Sequence, residues 1–349
     1  MIIPRKQRIN AFVHLGKFLN EFLSSKNLFE PEEKTFAQLS LACVKSNQKN
    51  GWFTEVEIRR ALTGITYLLE EEKLNNWIND YDSDPAQPNQ IGVITAGNIP
   101  AVGFHDFLSV LISGNVFYGK LSEQDKFLLP AFTNILIDHS TEFKSFIQFE
   151  DGQLKGADAY IATGSNNTAR YFEYYFGKYP NIIRKNRTSI AILENGVTNK
   201  EIEALGKDIF WYYGLGCRNV TKLYLEKGFE LNRIFEAFLP FAYIMENKKY
   251  ANNYIYHQSI YLMSQEKLLD NGFLNLRPHE DLTSQVGVLH YEFFENKTQL
   301  NEELSQKANQ IQAIVSRNNV PFGKAQQPEL TDYADGVNTL DFLANLALR

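Results

Sequence analysis

The chain has 349 residues, 44% of them hydrophobic and 22% charged, with a formal net charge of −6. That length exceeds the usual size of a single hydrophobic core and predicts two lobes. The acidic balance, with no basic stripe, argues against nucleic acid as a partner. Two cysteines in so long a chain argue against a disulfide framework and fit a reducing compartment. Met1-Ile2-Ile3-Pro4-Arg5-Lys6 has no apolar core of signal-peptide length, and no apolar run is long enough to span a bilayer. A cytoplasmic protein without an integral membrane segment is expected.

In chain order, Ile9 to about Tyr81 reads as helical, with Phe12, Leu15, Phe18, Leu19 and Phe22 at helical spacing. Thr54 followed by Glu57 has the form of a capping box, opening a helix through Ile58, Leu62 and Ile65. Residues 80–89, with Asp, Ser, Pro and Asn, are loop chemistry and mark a boundary. Four short apolar runs follow, Ile91–Ile94, Val116–Tyr118, Ala159–Ala162 and Ser189–Leu193. The first three end in polar or glycine-containing turns and lead into helical patterns. The turns are Thr95-Ala96-Gly97-Asn98, Gly119-Lys120-Leu121-Ser122-Glu123 and Thr163-Gly164-Ser165-Asn166-Asn167. Repeated strand–turn–helix units predict an α/β fold with a doubly wound, Rossmann-like parallel sheet whose ligand sits beyond the strand C-termini. There is no G-x-G-x-x-G fingerprint, so a dinucleotide site has to use these three turns.

A second lobe is expected from about Asn195 to Phe322, with a strand over Lys222–Leu225 and a tyrosine-rich helical stretch over Leu231–Met263. A strand over Gln285–Phe293 and an amphipathic helix around Leu300–Val315 complete it. The expected organisation is a helical segment (1–90) packed on a dinucleotide-binding domain (91–194), an α/β catalytic domain (195–322) and a C-terminal segment (323–349). The aromatic share of 13% fits either bulky apolar interiors or an apolar ligand channel.

Cys217 lies in Gly214-Leu215-Gly216-Cys217-Arg218-Asn219, just before the Lys222 strand. The glycines let the backbone bend and leave the sulfur approachable. Arg218 and Lys222 are placed to lower the thiol pKa, and the thiolate is the reactive species. A lone cysteine is more often structural, and Cys43, inside an apolar helical run, is read as core. Taken singly, Asn98 and Ser165 read as helix caps and Lys120 as a solvated lysine. Arg218 and Asn219 read as shaping the Cys217 turn, and His105 and His290, in apolar contexts, as structural. No Cys/His/Asp/Glu cluster has metal-ligand spacing.

Taken in order with Cys217, the turns resemble the aldehyde dehydrogenase superfamily, and within it the fatty acyl-CoA reductases of the LuxC type. Gly97-Asn98-Ile99-Pro100 stands at the Asn-x-Pro turn and Lys120-Leu121-Ser122-Glu123 at the Lys-Pro-Ser-Glu segment that touches the adenosine ribose. Thr163-Gly164-Ser165 matches the turn beneath the pyrophosphate, and Gly216-Cys217 the nucleophile. Val320-Pro321-Phe322-Gly323-Lys324 resembles the late Pro-Phe-Gly-Gly segment, and Gln326-x-Pro328 through Asp332-Tyr333-Ala334-Asp335-Gly336 is similar to acyl-CoA reductases.

The resemblance implies reduction of an acyl-CoA, expected to be long-chain, to its aldehyde through an acyl-Cys217 intermediate, with oxyanion donors at the Asn98 amide and the Cys217 backbone N–H. It implies a cofactor held by Thr95, Gly97, Lys120, Ser122, Glu123, Thr163, Gly164 and Ser165. NADPH is the expected cofactor, with NADH the alternative. Glu123 would repel a 2′-phosphate, an effect that Lys120, Arg184 or Lys185 is expected to offset. Family analogy adds an acyl-activating enzyme as partner and leaves a homo-oligomer open. The rival readings are a CoA-acylating aldehyde dehydrogenase for short aldehydes and a catalytically idle binding subunit.

Two departures stand out. The stretch Ile182–Ser189 has no carboxylate where hydrolytic relatives carry the base for deacylation. Ser284 and Val286 stand where the superfamily often has the Glu and Phe of a Glu-x-Phe-Gly turn.

Overall fold

The computed structural model describes residues 2–81, Pro85 and residues 87–346. Asp82, Ser83, Asp84 and Ala86 of the expected loop lie outside the described residues. The chain divides into two compact units, Met1–Lys185 with Glu329–Arg349, and Asn186–Pro328.

Unit 1 opens with helices α1 (Arg5–Leu23), α2 (Ala37–Lys49), α3 (Glu55–Leu68) and α4 (Glu71–Ile78). On α1 the face Phe12, Leu15, Leu19 and Phe22 is buried, as its spacing predicts. Phe12 meets Phe107 and Phe143 edge-on, with ring centroids at 6.3 and 6.2 Å. Burying each such side chain contributes about 1.5–3 kcal/mol. The Thr54 side chain caps α3 by accepting the Glu57 N–H, while Glu57 pairs with Arg60 one turn on.

The sheet of unit 1 follows as β1 (Gln90–Ile94), α5 (Phe104–Ile112), β2 (Val116–Lys120), α6 (Leu128–His139), β3 (Ile147–Phe149), β4 (Ala159–Thr163), α7 (Asn166–Phe176) and β5 (Asn181–Arg184). All pairings are parallel, in the order β3-β2-β1-β4-β5. The strand order reverses between β1 and β4, which makes that boundary the switch point of a doubly wound sheet.

Unit 2 runs β6 (Thr188–Leu193), α8 (Asn199–Phe210), β7 (Val220–Glu226), α9 (Asn232–Phe238), α10 (Lys248–Met263), β8 (Leu269–Asp270), β9 (Asn275–Pro278), β10 (Val288–Phe294), α11 (Lys297–Gln306) and β11 (Ile311–Val315). Its sheet order is β11-β6-β7-β10-β9-β8, parallel except for the edge pair β8–β9. Phe210 packs against Phe238, Phe241 and Phe273 at 5.2–5.8 Å, so these rings fill interior space. The last helix, α12 (Thr339–Leu346), buries Leu340 and Leu343 in the core of unit 1.

The structure departs from expectation at several places. The run Ser189–Leu193, expected in the first lobe, is β6 and lies between β7 and β11 in the second sheet. The division therefore falls after Lys185 rather than near Asn195. The expected C-terminal segment is split, with residues 323–328 in unit 2 and Glu329 onward in unit 1. The helix expected to Val315 stops at Gln306. Ile311-Gln312-Ala313-Ile314-Val315 instead alternates buried and half-buried positions as a strand against β6. The helical stretch Leu231–Met263 breaks at Pro240, and Asn247 caps α10 by accepting the Lys249 and Tyr250 N–H groups at 2.9 and 3.2 Å.

Candidate active site

Because every strand of the first sheet is parallel, the turns after β1, β2 and β4 all lie at one edge, flanking the switch point. The turns after β1 and β2 interlock. Thr95 is buried; its N–H donates to the Lys120 carbonyl (3.1 Å) and its Oγ1 accepts the Ser122 N–H (3.2 Å). A Cβ on Gly97 would stand 2.6 Å from the Ser122 Cβ, so only glycine lets the two turns come this close. Asn98 follows, exposed at the tip.

Asp125 closes the clasp. Its backbone N–H donates to the Ser122 carbonyl at 3.0 Å, and its carboxyl is buried, with Oδ1 unpartnered among the described residues. Burial pushes this carboxyl up to about 7. In the same segment Ala101 stands at φ 54°, a left-handed conformation that costs a residue with a Cβ about 1–2 kcal/mol.

Exposed Glu123 pairs with Lys126 at 3.0 Å and Lys49 at 3.4 Å. The hydrogen bond from Lys126, above all, holds its carboxyl below the usual range. Lys120 is half-buried at the end of β2. After β4, Ser165 caps α7, its Oγ accepting the Thr168 N–H at 3.2 Å. Gly164 allows Thr168 and Phe172 to pack close, since a Cβ there would meet them at 3.0 and 2.9 Å. Thr163 is half-buried, and Ser165, Asn166 and Asn167 are exposed at the positive end of the helix dipole. Arg184 does not serve the expected role toward a 2′-phosphate. It is buried, paired with Asp106 at 2.5 Å and bonded to Thr339 Oγ1 at 3.0 Å. Lys185 pairs with Glu173 at the surface.

In unit 2, Cys217 precedes β7 and so lies at the edge where the parallel strands begin. It is exposed, whereas Cys43 is buried and its thiol is pushed up to about 12 by that burial. Two residues with Cβ atoms, Tyr212 (φ 53°) and Tyr213 (φ 56°), adopt the left-handed conformation on the approach, followed by Gly214 (φ 77°). Ser189 Oγ donates to the Cys217 carbonyl at 3.1 Å.

Lys222, expected beside the thiol, turns into the sheet instead. Its side chain is fully buried; Nζ donates to the Glu280 carbonyl at 2.6 Å and pairs with Glu292. That carboxylate offsets its charge inside the strand layer. The Glu280–Gly287 loop, which contains the altered turn, is gripped at three successive carbonyls. Lys222 takes that of Glu280, His290 Nδ1 that of Asp281 (3.0 Å) and Thr221 Oγ1 that of Leu282 (2.6 Å). Burial lowers the His290 pKa to about 4, so its ring is neutral and structural. His105 binds the Leu330 carbonyl through Nε2 at 2.9 Å, also a structural role.

Three residues escaped the sequence reading of chemistry, namely Asp125, Ser189 and Asp208, whereas Asn219 shapes the Cys217 turn as expected, its Oδ1 accepting the Gly216 N–H at 2.8 Å. Buried Asp208 on α8 accepts the N–H groups of Gly323 (2.6 Å) and Ala325 (2.9 Å), which ties the Pro-Phe-Gly segment to the helix that leads into the Cys217 turn. No local motif announces such long-range pairs.

Residues 52–250, more than half of the chain, match the family described as acyl-CoA reductase (LuxC). No curated protein matches the sequence. Among solved structures, the chain is similar to the NAD+ complex of an aldehyde dehydrogenase from Bacillus cereus, with 13% identity over 90% of this chain and 72% of that one, at a TM-score of 0.59. The P. syringae indole-3-acetaldehyde dehydrogenase AldA, solved as a mutant with NAD+ and IAA, gives 13% identity, 90% and 73% coverage and a TM-score of 0.63. An E. coli NADP dependent enzyme gives 13%, 90%, 74% and 0.62. At these identities the likeness establishes an aldehyde dehydrogenase fold. No described helix is long and apolar enough to cross a membrane.

Proposed function

This chain belongs to the acyl-CoA reductase (LuxC) family, and we propose that it reduces a long-chain acyl-CoA to the aldehyde with NADPH through an acyl-Cys217 intermediate. The observation that carries this reading is the exposed Cys217 in a strained, multiply hydrogen-bonded turn of an aldehyde dehydrogenase fold.

The Cys217 thiolate attacks the thioester carbonyl. A carbon–sulfur bond forms to Cys217, the bond to coenzyme A breaks, and coenzyme A leaves as its thiolate. The family resemblance assigns the oxyanion donors to the Asn98 amide and the Cys217 backbone N–H. When bound, a reduced nicotinamide would supply hydride chemistry at the acyl carbon, while Cys217 holds the acyl group and leaves as the thiolate when the aldehyde is released. With no carboxylate over Ile182–Ser189, the chain provides no base there to hydrolyse the intermediate.

Thr95, Gly97, Lys120, Ser122 and Glu123 would hold the adenosine half of the cofactor, and Thr163, Gly164 and Ser165 the diphosphate at the α7 N-terminus. The NAD+ complexes and the NADP dependent enzyme among the structural relatives support a nicotinamide cofactor. NADPH is favoured because Lys126 and Lys49 already neutralise Glu123, which lessens repulsion of a 2′-phosphate.

The test is oxidation of NADPH and of NADH by purified protein across an acyl-CoA chain-length series, with Cys217→Ala as control. Turnover that peaks at long chains with NADPH and drops by about 10³-fold or more in the variant is expected. Folded protein that oxidises neither cofactor with any thioester sinks the reading.

A further inference from the structure

Resting on the acyl-Cys217 reading, we propose that Asn219, seconded by Ser189, is a positioning residue. It fixes the direction of the Cys217 backbone N–H, so that the donor is aimed before the oxyanion forms.

The Gly216 carbonyl and the Cys217 N–H belong to one rigid planar unit and point in opposite directions. Whatever pins the carbonyl therefore aims the N–H. The Asn219 N–H donates to that carbonyl at 3.0 Å, while Asn219 Oδ1 accepts the Gly216 N–H at 2.8 Å. One residue thus grips Gly216 on both sides, with Cys217 and Arg218 at the corner of the turn between. Ser189 steadies the next plane, its Oγ donating to the Cys217 carbonyl at 3.1 Å and its N–H to the Asn219 carbonyl at 3.2 Å.

Asn219 is itself anchored. It is completely buried, and its Nδ2 reaches the carbonyls of Asp208 (3.0 Å), Ile209 (3.2 Å) and Trp211 (2.9 Å) where α8 ends. Helix C-terminal carbonyls have no partner within the helix and need one when buried. This set also dictates the orientation of the amide, because the flipped form would place its oxygen against three carbonyl oxygens.

An independent observation is the backbone between these anchors. Tyr212 and Tyr213 stand at φ 53° and 56°, each costing about 1–2 kcal/mol. Such a turn persists only where its surroundings over-determine it. With the Asn219–Trp211 and Asn219–Gly216 bonds removed, the strain relaxes into the segment that carries Cys217.

The experiment compares two rates at the same sulfur in the full chain. Alkylation by iodoacetamide needs a reachable thiolate and develops no oxyanion. Single-turnover acylation by a long-chain acyl-CoA needs both. Cys43, buried with a raised thiol pKa, stays silent in the native protein.

Asn219→Ala is expected to alkylate within about 2-fold of the wild type but to acylate about 10²-fold more slowly, with Ser189→Ala about 10-fold slower, against the cost of about 10²–10³ for losing an oxyanion donor outright. Should Asn219→Ala fail to fold, Ser189→Ala, which deletes one hydroxyl, carries the test alone. Parallel loss of both rates, or loss of neither, overturns the positioning role while leaving acyl-Cys217 standing. A wild-type enzyme that alkylates but never acylates overturns the acyl-enzyme reading and the role of Asn219 with it.

Discussion

The clasp between the turns after β1 and β2 and the turn ahead of β7 are both tight, and they are held by opposite means. At Gly97 the backbone comes close because a side chain is missing, and a Cβ would stand 2.6 Å from Ser122 Cβ. At Cys217 the backbone is held by a side chain that is present, the buried amide of Asn219. The first device is steric and tolerates no added atom. The second is polar and tolerates no lost donor. The proposed cofactor cradle and nucleophile turn thus fail under different substitutions, and this difference can be tested.

The largest expected effect on stability is at the steric clasp. Gly97→Ala overpacks against Ser122 and Gln124 and should cost about 1–3 kcal/mol. It should also weaken nicotinamide cofactor binding by about 10-fold or more, read by calorimetry on the same sample. Adding Ser122→Gly should restore most of the lost stability, because the two positions share one contact. If the double variant is no better than the single, the clasp is not steric.

A smaller effect separates a cap from a ligand site. Ser165 caps α7, and Thr198 caps α8 in a reciprocal capping box with Glu201. Alanine at either should lower stability by about 1 kcal/mol. Only Ser165→Ala should also raise the cofactor Kd, by several-fold. Equal Kd values for the two variants would reduce Ser165 to a cap.

The smallest effect is a slope with pH. Asp125 titrates at about 7 in the folded chain against an ordinary 3.8, because burial disfavours its ionised form. The folded state therefore keeps a proton that the unfolded chain has released. The stability linked to that proton is fully present below about pH 4 and is lost as pH rises through about 7. Urea unfolding at pH 5 and pH 8 should show the wild type losing ground to Asp125→Asn between the two values. A constant gap would mean that the carboxyl stays ionised throughout.

How much of this was legible in the sequence depends on how far each signal reaches. The runs at Ile91, Val116 and Ala159 are local, apolar and closed by turn residues, and each became the expected strand of the first sheet. Ser189–Leu193 looked the same locally, yet its partners, β7 and β11, lie far along the chain. Nothing within the run tells which sheet it joins. Ile311–Val315 reads as part of the preceding helix because five apolar and polar residues satisfy either period until a partner strand decides between them.

The same limit applies to the site. Cys217 and the turns are short motifs and can be read directly. The opposite commitments of Lys222 and Arg184, both turned inward to carboxylates, depend on Glu292 and Asp106. Those partners come from other strands and helices, so the residues around Lys222 and Arg184 in the sequence carry no trace of them.

The return of Glu329–Leu346 to the first unit has a consequence for the order of events during synthesis. A ribosome completes Asn186–Pro328 before it makes Leu340 and Leu343, which fill the core laid down by α1, α5 and α6. The nascent chain therefore carries the earlier of these two units unfinished while the later one can already close. Newly made Met1–Lys185 must wait, with an apolar gap, for the tail that seals it. A stop codon near residue 330 would spare the unit it follows and damage the one begun first.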